Sequence, residues 1–190
     1  MRIDKNIDLL IVIDFLNDFI SGSLAVPGAE ELVPVINEYL RKFNNKVFVM
    51  ESHPKDHSSF IAQGGPWPVH CEAGTYGAML HKGVKIDWYH DTVITKGNYV
   101  GGDGYSGFEN PDLLSVIEII APNKVFICGL ATDYCVRATV LDALKQVHAD
   151  DIYLLTDAIK AVNVKPTDGE KAIEEMSSAG AIPTTLNDIE

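Results

Sequence analysis

Short runs of apolar residues, rich in valine and isoleucine, recur along the chain, and most of them are continuous rather than alternating. Continuous apolar runs of this length are typical of strands that are buried on both faces of a parallel sheet. The pattern therefore predicts six strands: Leu9–Asp14, Lys46–Glu51, Asp91–Thr95, Lys124–Cys128, Asp151–Thr156 and Ile182–Leu186.

Apolar residues at helical spacing lie between several of these strands. In the last such segment, Thr167 and Glu170 fit a capping box and Gly180 fits a helix stop. The predicted helices are Ala29–Phe43, Pro111–Ile120, Val136–His148 and Thr167–Ala179.

The alternation of strands and helices predicts a fold of the α/β class. We expect residues 1–190 to form a single doubly wound domain, with a six-stranded, mostly parallel sheet flanked by helices in a Rossmann-like arrangement. A strand order of 3-2-1-4-5-6 would bring strands 1 and 4 together at the switch point, where such folds place their sites.

The segment Ser52–His90 breaks this alternation, because it is long, rich in glycine and proline, and weakly periodic. A loop of this length inside a compact domain indicates either a wrong assignment of elements or a functional element, and its contents favour the second. Five of the six histidines and both tryptophans fall in it. We expect a metal-binding loop region at about 51–90.

Composition and charge narrow the classes of function. A net charge of −12 with no lysine or arginine block excludes binding to nucleic acid and to anionic membranes. No apolar run approaches the roughly 20 residues of a membrane span. Three cysteines make no disulfide framework, so we expect reduced thiols and a cytoplasmic protein.

Cys135 is the candidate nucleophile, because it follows a predicted strand and a short turn and stands just ahead of a helix. The helix N-terminus offers partial positive charge that lowers a thiol pKa, and its backbone amides can hold an oxyanion. The alternative is a small buried core residue, which we prefer for Cys128 inside its strand.

Asp14 and Lys96 are charged residues at the ends of otherwise apolar strands, where a pattern set by burial alone would not put them. Asp14 can move protons between the thiol and a leaving amine, and Lys96 can stabilise negative charge. An ordinary ion pair at the strand ends is the alternative.

Glu51 and His53 end the second predicted strand, and His57 and His70 follow in the long loop. One carboxylate with two or three imidazoles suits Zn²⁺, Mn²⁺ or Fe²⁺ and leaves positions open for water and substrate. Single histidines in loops are usually solvated. The metal-site prediction therefore depends mainly on the Glu51 and His53 pair, a carboxylate and a histidine separated by one residue.

The stretch Gly129–Val136, with the sequence GLATDYCV, resembles the nucleophile motif of nicotinamidases in the isochorismatase-like cysteine hydrolase superfamily. Other matching segments occur in family order and cover roughly positions 8 to 140. They are Asp14–Phe19, Ser23–Val26, His53–Pro54 with His57, Ser59–Phe60, Trp67–Cys71, Lys96–Gly97 and Tyr105–Glu109.

The resemblance implies a role for each matching residue. The catalytic residues would be Asp14, Lys96 and Cys135, and the amides of Ala131 and Cys135 would form the oxyanion hole after a cis Leu130–Ala131 peptide. The metal ligands would be Glu51, His53 and His70, with His57 as a further candidate. The residues around the substrate would be Phe19, Leu24, Trp67, Tyr105, Ala131 and Tyr134.

The resemblance also implies an activity: hydrolysis of nicotinamide to nicotinate and ammonia through a cysteine thioester, in NAD salvage, with pyrazinamide usually accepted. It implies one divalent metal ion, with zinc ahead of iron or manganese. The partner would be a small-molecule substrate, and a homo-oligomer stays open. Two positions depart from the family pattern, since Leu16 replaces a usual Gln and Glu51 a usual Asp.

Other functions stay open at this point. One is an amidase of the same superfamily that acts on an N-carbamoyl or ureido compound. Many amidases of that kind lack the histidine cluster. A second is a non-catalytic metal- or ligand-binding relative, against which the intact Asp14, Lys96 and Cys135 set argues. A third is isochorismate hydrolysis, whose vinyl-ether chemistry does not need a cysteine nucleophile.

Overall fold

One sheet of six parallel strands organises the computed structural model, which describes residues 1–190. The strands are β1 (Leu9–Ile13), β2 (Asn45–Glu51), β3 (Thr92–Lys96), β4 (Lys124–Leu130), β5 (Asp151–Lys160) and β6 (Ile182–Thr184). Their order, β3-β2-β1-β4-β5-β6, confirms the predicted doubly wound α/β sheet with β1 and β4 side by side.

Several strand ends differ from the prediction. β3 lies one position later than predicted, so that Lys96 is its last residue instead of following it. β5 continues to Lys160, because the register shift between Ile127 and Gly129 lets its second half pair with the end of β4. The polar residues Thr156 and Asp157 inside this strand hide that continuation from an apolar pattern.

Five α-helices connect the strands: α1 (Asn17–Ile20), α2 (Val33–Lys42), α3 (Pro111–Ile120), α4 (Arg137–Gln146) and α5 (Asp168–Ser178). α3 has the predicted bounds. The helix predicted from Ala29 is divided into a 3₁₀ turn, Ala29–Leu32, and α2, which carries a proline in its first turn. The predicted capping box of α5 is wrong, because the Thr167 side chain makes no capping hydrogen bond.

The core follows from the apolar strands. All five residues of β1 are completely buried, and β4 is buried from Val125 onward, as expected for central strands of a parallel sheet that is covered on both faces. Three of the buried charged residues, Asp14, Glu51 and Lys96, lie at the carboxyl ends of β1, β2 and β3. None of the helices has both the length and the hydropathy that a membrane span requires.

The segment between β2 and β3 contains no strand or α-helix, as predicted. Its regular structure is limited to a 3₁₀ turn at Ile61–Gln63 and to isolated bridges such as His53 to Glu72. Although it is a loop, it buries His53, His57 and His70. Each ring nitrogen of a buried histidine needs a hydrogen-bond partner or a metal ion. Three buried histidines in one loop therefore indicate a binding site.

Gly129 in β4 is the register partner of Ile13 in β1, and the two backbones leave no room for a side chain at this glycine. Its φ is +115°, and a Cβ there would lie 2.0 Å from the backbone oxygen of Ile13 and 2.6 Å from the backbone nitrogen of that residue. We therefore expect Gly129→Ala to lower the free energy of unfolding by more than about 2 kcal/mol, as measured by urea denaturation. Gly74→Ala is the matched control, since Gly74 has φ +79° but open space around its Cβ position. If both variants lose the same free energy of unfolding, the effect comes from backbone strain alone and not from the contact with Ile13.

Candidate active site

The carboxyl ends of four adjacent strands form the floor of the site. Asp14 follows β1 in a left-handed conformation with φ +46°. Glu51 and Lys96 are the last residues of β2 and β3 and are direct partners in the register of these strands. Cys135 follows β4 in the turn of π-helix Thr132–Val136 that leads into α4. Because parallel strands all end on one edge, the predicted nucleophile and its two partners meet there.

The Lys96 ammonium group lies at the centre of this edge and is completely buried. Its Nζ is 2.8 Å from Asp14 Oδ2, 3.0 Å from Glu51 Oε1 and 3.4 Å from Cys135 Sγ. Nζ also donates to the backbone oxygen of Gly104 at 2.7 Å. Asp14 Oδ1 in turn accepts from the Glu51 backbone nitrogen at 2.7 Å. The ammonium therefore links the aspartate, the cysteine and the glutamate into one buried network.

Burial sets the protonation states of these groups. It raises the pKa of Asp14 to about 6, although Lys96 opposes the shift. Burial also raises the pKa of the Cys135 thiol well above its usual range, against the effect of Lys96. For Lys96, burial disfavours the charge, but Asp14, Cys135 and Glu51 outweigh it and raise the pKa. The predicted lowering of the thiol pKa by the helix N-terminus is thus outweighed, and the thiol needs a base.

Asp14 places a carboxylate within reach of the Cys135 thiol. Single ligand atoms of Asp14, Glu51 and Cys135 all lie within 4.8 Å of one another. A carboxyl group with a pKa of about 6 can accept a proton near neutral pH and can also return it, which is the requirement for a general acid and base.

The turn between β4 and the nucleophile has an unusual backbone. The Leu130–Ala131 peptide bond is cis, which confirms the expectation drawn from the family resemblance. The backbone oxygen of Ala131 accepts from Tyr134 and Val136, both at 3.1 Å, and starts the helical turn that carries Cys135. Ala131 and Cys135 both line the same pocket.

Glu51, His53 and His70 are all buried, and one ligand atom from each lies within 4.8 Å of the others. The Nε2 atoms of His53 and His70 are 3.3 Å and 3.2 Å from the two Glu51 oxygens. Each Nδ1 lies within hydrogen-bonding distance of a backbone oxygen, of Gly97 at 2.9 Å and of Pro68 at 2.7 Å. Since a carbonyl only accepts, Nδ1 carries the proton and Nε2 is left to bind a cation.

Unpaired buried atoms support the same interpretation. Glu51 Oε2 and His53 Nε2 are buried without a hydrogen-bond partner. Buried polar atoms are normally paired or coordinate a metal, so a carboxylate and two imidazoles with unused atoms fit a divalent cation. The Glu51 carboxylate, which stands where the family pattern has aspartate, contacts Lys96 and both histidines.

His57 lies beside this group but outside the set of three. Its ring stacks on His53 with a centroid separation of 3.8 Å, and its Nδ1 is 2.7 Å from Ser59 Oγ. His57 Nε2 is buried and unpaired, so His57 is still a candidate for a further ligand.

An aromatic pocket opens above Cys135. Trp67 Nε1 donates to the Tyr105 hydroxyl at 3.0 Å, and both rings pack against Tyr134 with centroid separations of 5.0 and 5.4 Å. The structure brings together around this pocket all six residues that were expected near the substrate, together with Glu51, His70, Cys135 and Val162.

Three residues of the site were not predicted from the sequence. Val162 follows β5 and reads as an ordinary apolar residue, while Gly104 contributes only a backbone oxygen to Lys96. Glu109 accepts from the Gly97 backbone nitrogen at 2.9 Å and so fixes the end of β3. Glu109 lies in a segment that matches the family pattern, and this match was the available signal.

A doubly wound sheet with a buried cysteine, lysine and aspartate at its switch point has the organisation of an α/β cysteine hydrolase. The family model for the Isochorismatase domain matches residues 8–188 of the chain. The chain therefore belongs to the isochorismatase family, as its motifs indicated.

Individual relatives are similar along nearly the whole chain. The chain is 36% identical to the nicotinamidase/pyrazinamidase of Mycobacterium tuberculosis, over 90% of this chain and 94% of that protein. It is 41% identical to the pyrazinamidase of Pyrococcus horikoshii, solved in complex with zinc, with a TM-score of 0.87 over 95% and 99% of the two chains. PnC1 from L. infantum, solved in complex with nicotinate, is 33% identical, with a TM-score of 0.92 over 100% and 98%.

Proposed function

We propose that this protein is a cytoplasmic amidohydrolase of one domain that converts nicotinamide to nicotinate and ammonia in NAD salvage and also accepts pyrazinamide. The observation that carries the proposal is the Lys96 ammonium group, which contacts both Asp14 and Cys135 at the base of an aromatic pocket. Relatives named for this activity support it, as does the pocket lined by the aromatic rings of Trp67 and Tyr105. Three free cysteines support the compartment.

The first half of the reaction forms a thioester. Asp14 takes the proton of the Cys135 thiol, and the sulfur attacks the carboxamide carbon. The backbone amides of Ala131 and Cys135 bind the oxyanion, while Lys96 balances the negative charge. Asp14 then gives its proton to the amine, the carbon–nitrogen bond breaks, and ammonia leaves.

The second half hydrolyses the thioester. Asp14 takes a proton from a water molecule, and the resulting hydroxide attacks the acyl carbon. The carbon–sulfur bond breaks, nicotinate leaves, and Cys135 recovers its proton from Asp14. Asp14 therefore serves both halves, which suits a carboxyl group whose pKa lies at about 6.

The divalent cation would be held by Glu51, His53 and His70, with His57 as a further candidate and zinc as the metal ahead of iron or manganese. Their converging buried atoms support this set. When bound, the cation would supply Lewis-acid chemistry next to the pocket. The protein's own contribution is orientation, because the pocket residues hold the carboxamide against Cys135.

One assay tests the function: ammonia release from nicotinamide by the wild-type protein, with and without a chelator. We expect turnover that falls when the chelator is added. An N-carbamoyl amine serves as the comparison substrate. Turnover of that compound without turnover of nicotinamide would show that the chain is a different amidase of the same family.

His53→Ala is expected to lose bound metal and to raise KM for nicotinamide by about tenfold or more, because one of two imidazole ligands is gone. Metal content is measured on the purified protein, and KM by ammonia release. His90→Ala is the matched control, since His90 is exposed and contacts Asp87 away from the site. Unchanged metal content in His53→Ala would remove His53 from the ligand set.

A further inference from the structure

The segment that follows β5 forms one wall of the aromatic pocket. Val162 lines the pocket, whereas the residues after it, 163–167, are exposed. An exposed segment has few apolar contacts to hold it in place. Val162 itself packs against the apolar core, and its backbone is held in addition by specific hydrogen bonds.

Asp133 supplies two such bonds. Its Oδ1 accepts from the Val162 backbone nitrogen at 2.9 Å, and its Oδ2 accepts from the Asn163 backbone nitrogen at 2.8 Å. Asp133 lies two residues before Cys135, in the same helical turn. One carboxylate thus ties the turn that carries the nucleophile to the segment that contributes Val162 to the pocket.

The other end of the segment is held separately. Asn163 has a left-handed φ of +54°, and its Oδ1 accepts from the Gly169 backbone nitrogen at 2.8 Å. Gly169 packs so closely that a Cβ there would lie 2.5 Å from the Ala161 Cβ. The connection to α5 therefore keeps its attachment when Asp133 is removed, and the effect should be confined to the part that contacts the pocket.

We propose that Asp133 is a positioning residue that holds Val162 in place and thereby sets how closely the pocket fits a flat aromatic carboxamide. The proposal rests on the proposed function for its substrate class. It predicts that Asp133 governs substrate fit through Val162, and that it leaves the chemistry at Cys135 unchanged.

A double-mutant cycle tests it, with Asp133→Ala, Val162→Ala and the double variant assayed on nicotinamide. In each single variant we expect KM to rise about tenfold, equivalent to 1.4 kcal/mol, with kcat changed less than about threefold. The double variant should equal the single variants, because both changes remove the same wall. Relative kcat/KM for ring-methylated nicotinamides should rise in all three.

Asp157→Ala is the matched control. Asp157 also accepts from a backbone nitrogen, that of Leu186, and from the Tyr39 hydroxyl, but it does not line the pocket. We expect it to lose stability with KM unchanged. An equal rise of KM in Asp157→Ala would attribute the effect of Asp133 to general loosening and overturn the proposal.

Two measurements separate this proposal from the proposed function. Hydrogen exchange at the Val162 and Asn163 amides should accelerate in Asp133→Ala whatever the substrate is, and unchanged protection would overturn the positioning role. If the wild-type protein neither binds nor hydrolyses nicotinamide, the proposed function fails while hydrogen exchange still decides the role of Asp133. A fall in kcat at unchanged KM would place Asp133 in the support of Cys135 and refute the action through Val162.

Discussion

Cys135→Ala is expected to lower kcat for nicotinamide by at least about 10⁴-fold, because the thioester pathway has no other nucleophile. Cys135 is the thiol that lies 3.4 Å from the Lys96 ammonium and faces the pocket. Metal content should stay at the wild-type level, since Glu51, His53 and His70 do not include the sulfur. Ammonia release and metal analysis on the same preparation measure both expectations.

Cys128→Ala is the matched control for this substitution. Cys128 is a second buried thiol, but it lies inside β4 and lines no pocket. Its removal should cost some stability through a small cavity and leave kcat intact.

Rapid acid quenching of the wild-type protein during turnover should trap a nicotinoyl group on Cys135. A Cys135→Ala variant that retains more than about a hundredth of wild-type kcat would exclude a thioester at this residue.

The strand ends explain why much of the site could be predicted from the sequence. An apolar run ends in a charged residue at three positions, Asp14, Glu51 and Lys96. Burial of a strand favours apolar side chains, so a charged residue at its end indicates another role. Parallel pairing then brings such residues to one edge, whatever their separation along the chain. The contact between Lys96 and Glu51 was not predicted, although it follows from the register in which they are partners.

The parts that were missed depend on irregular backbone. Val162 reads as an apolar residue beyond a strand, and neither its place in the pocket nor its backbone hydrogen bond to Asp133 leaves a mark in the apolar pattern. Gly104 contributes a carbonyl group, which no side-chain pattern reveals. The wrong capping box at Thr167 has a related cause, because Asp168 accepts from the Lys165 backbone nitrogen and forms a competing local turn.

The family resemblance added what the spacing alone could not provide. Periodicity left Cys135 as either a nucleophile or a core residue, and the histidines of the long loop carried weak signals one by one. The ordered motifs assigned each residue a role, and the fold brings these residues together around one pocket.

Lys96→Met is expected to damage both catalysis and stability, because one buried ammonium group balances two buried carboxylates. Without Lys96, Asp14 and Glu51 lose their cationic partner at 2.8 and 3.0 Å. Breaking a buried ion pair from one side typically costs about 3–5 kcal/mol in free energy of unfolding. We expect kcat to fall by at least about 10³-fold as well, since the oxyanion and the proton-accepting form of Asp14 both lose the adjacent positive charge.

Lys46→Met separates the two effects. Lys46 pairs with the buried Asp91 side chain at 3.0 Å on the same sheet, but away from the pocket. The Lys46→Met substitution should lower the free energy of unfolding while leaving kcat per folded molecule unchanged. Urea denaturation and ammonia release, measured on both variants, give the comparison. If Lys96→Met loses only stability, as Lys46→Met does, then Lys96 is an ordinary strand-end ion pair and Asp14 and Cys135 work without it.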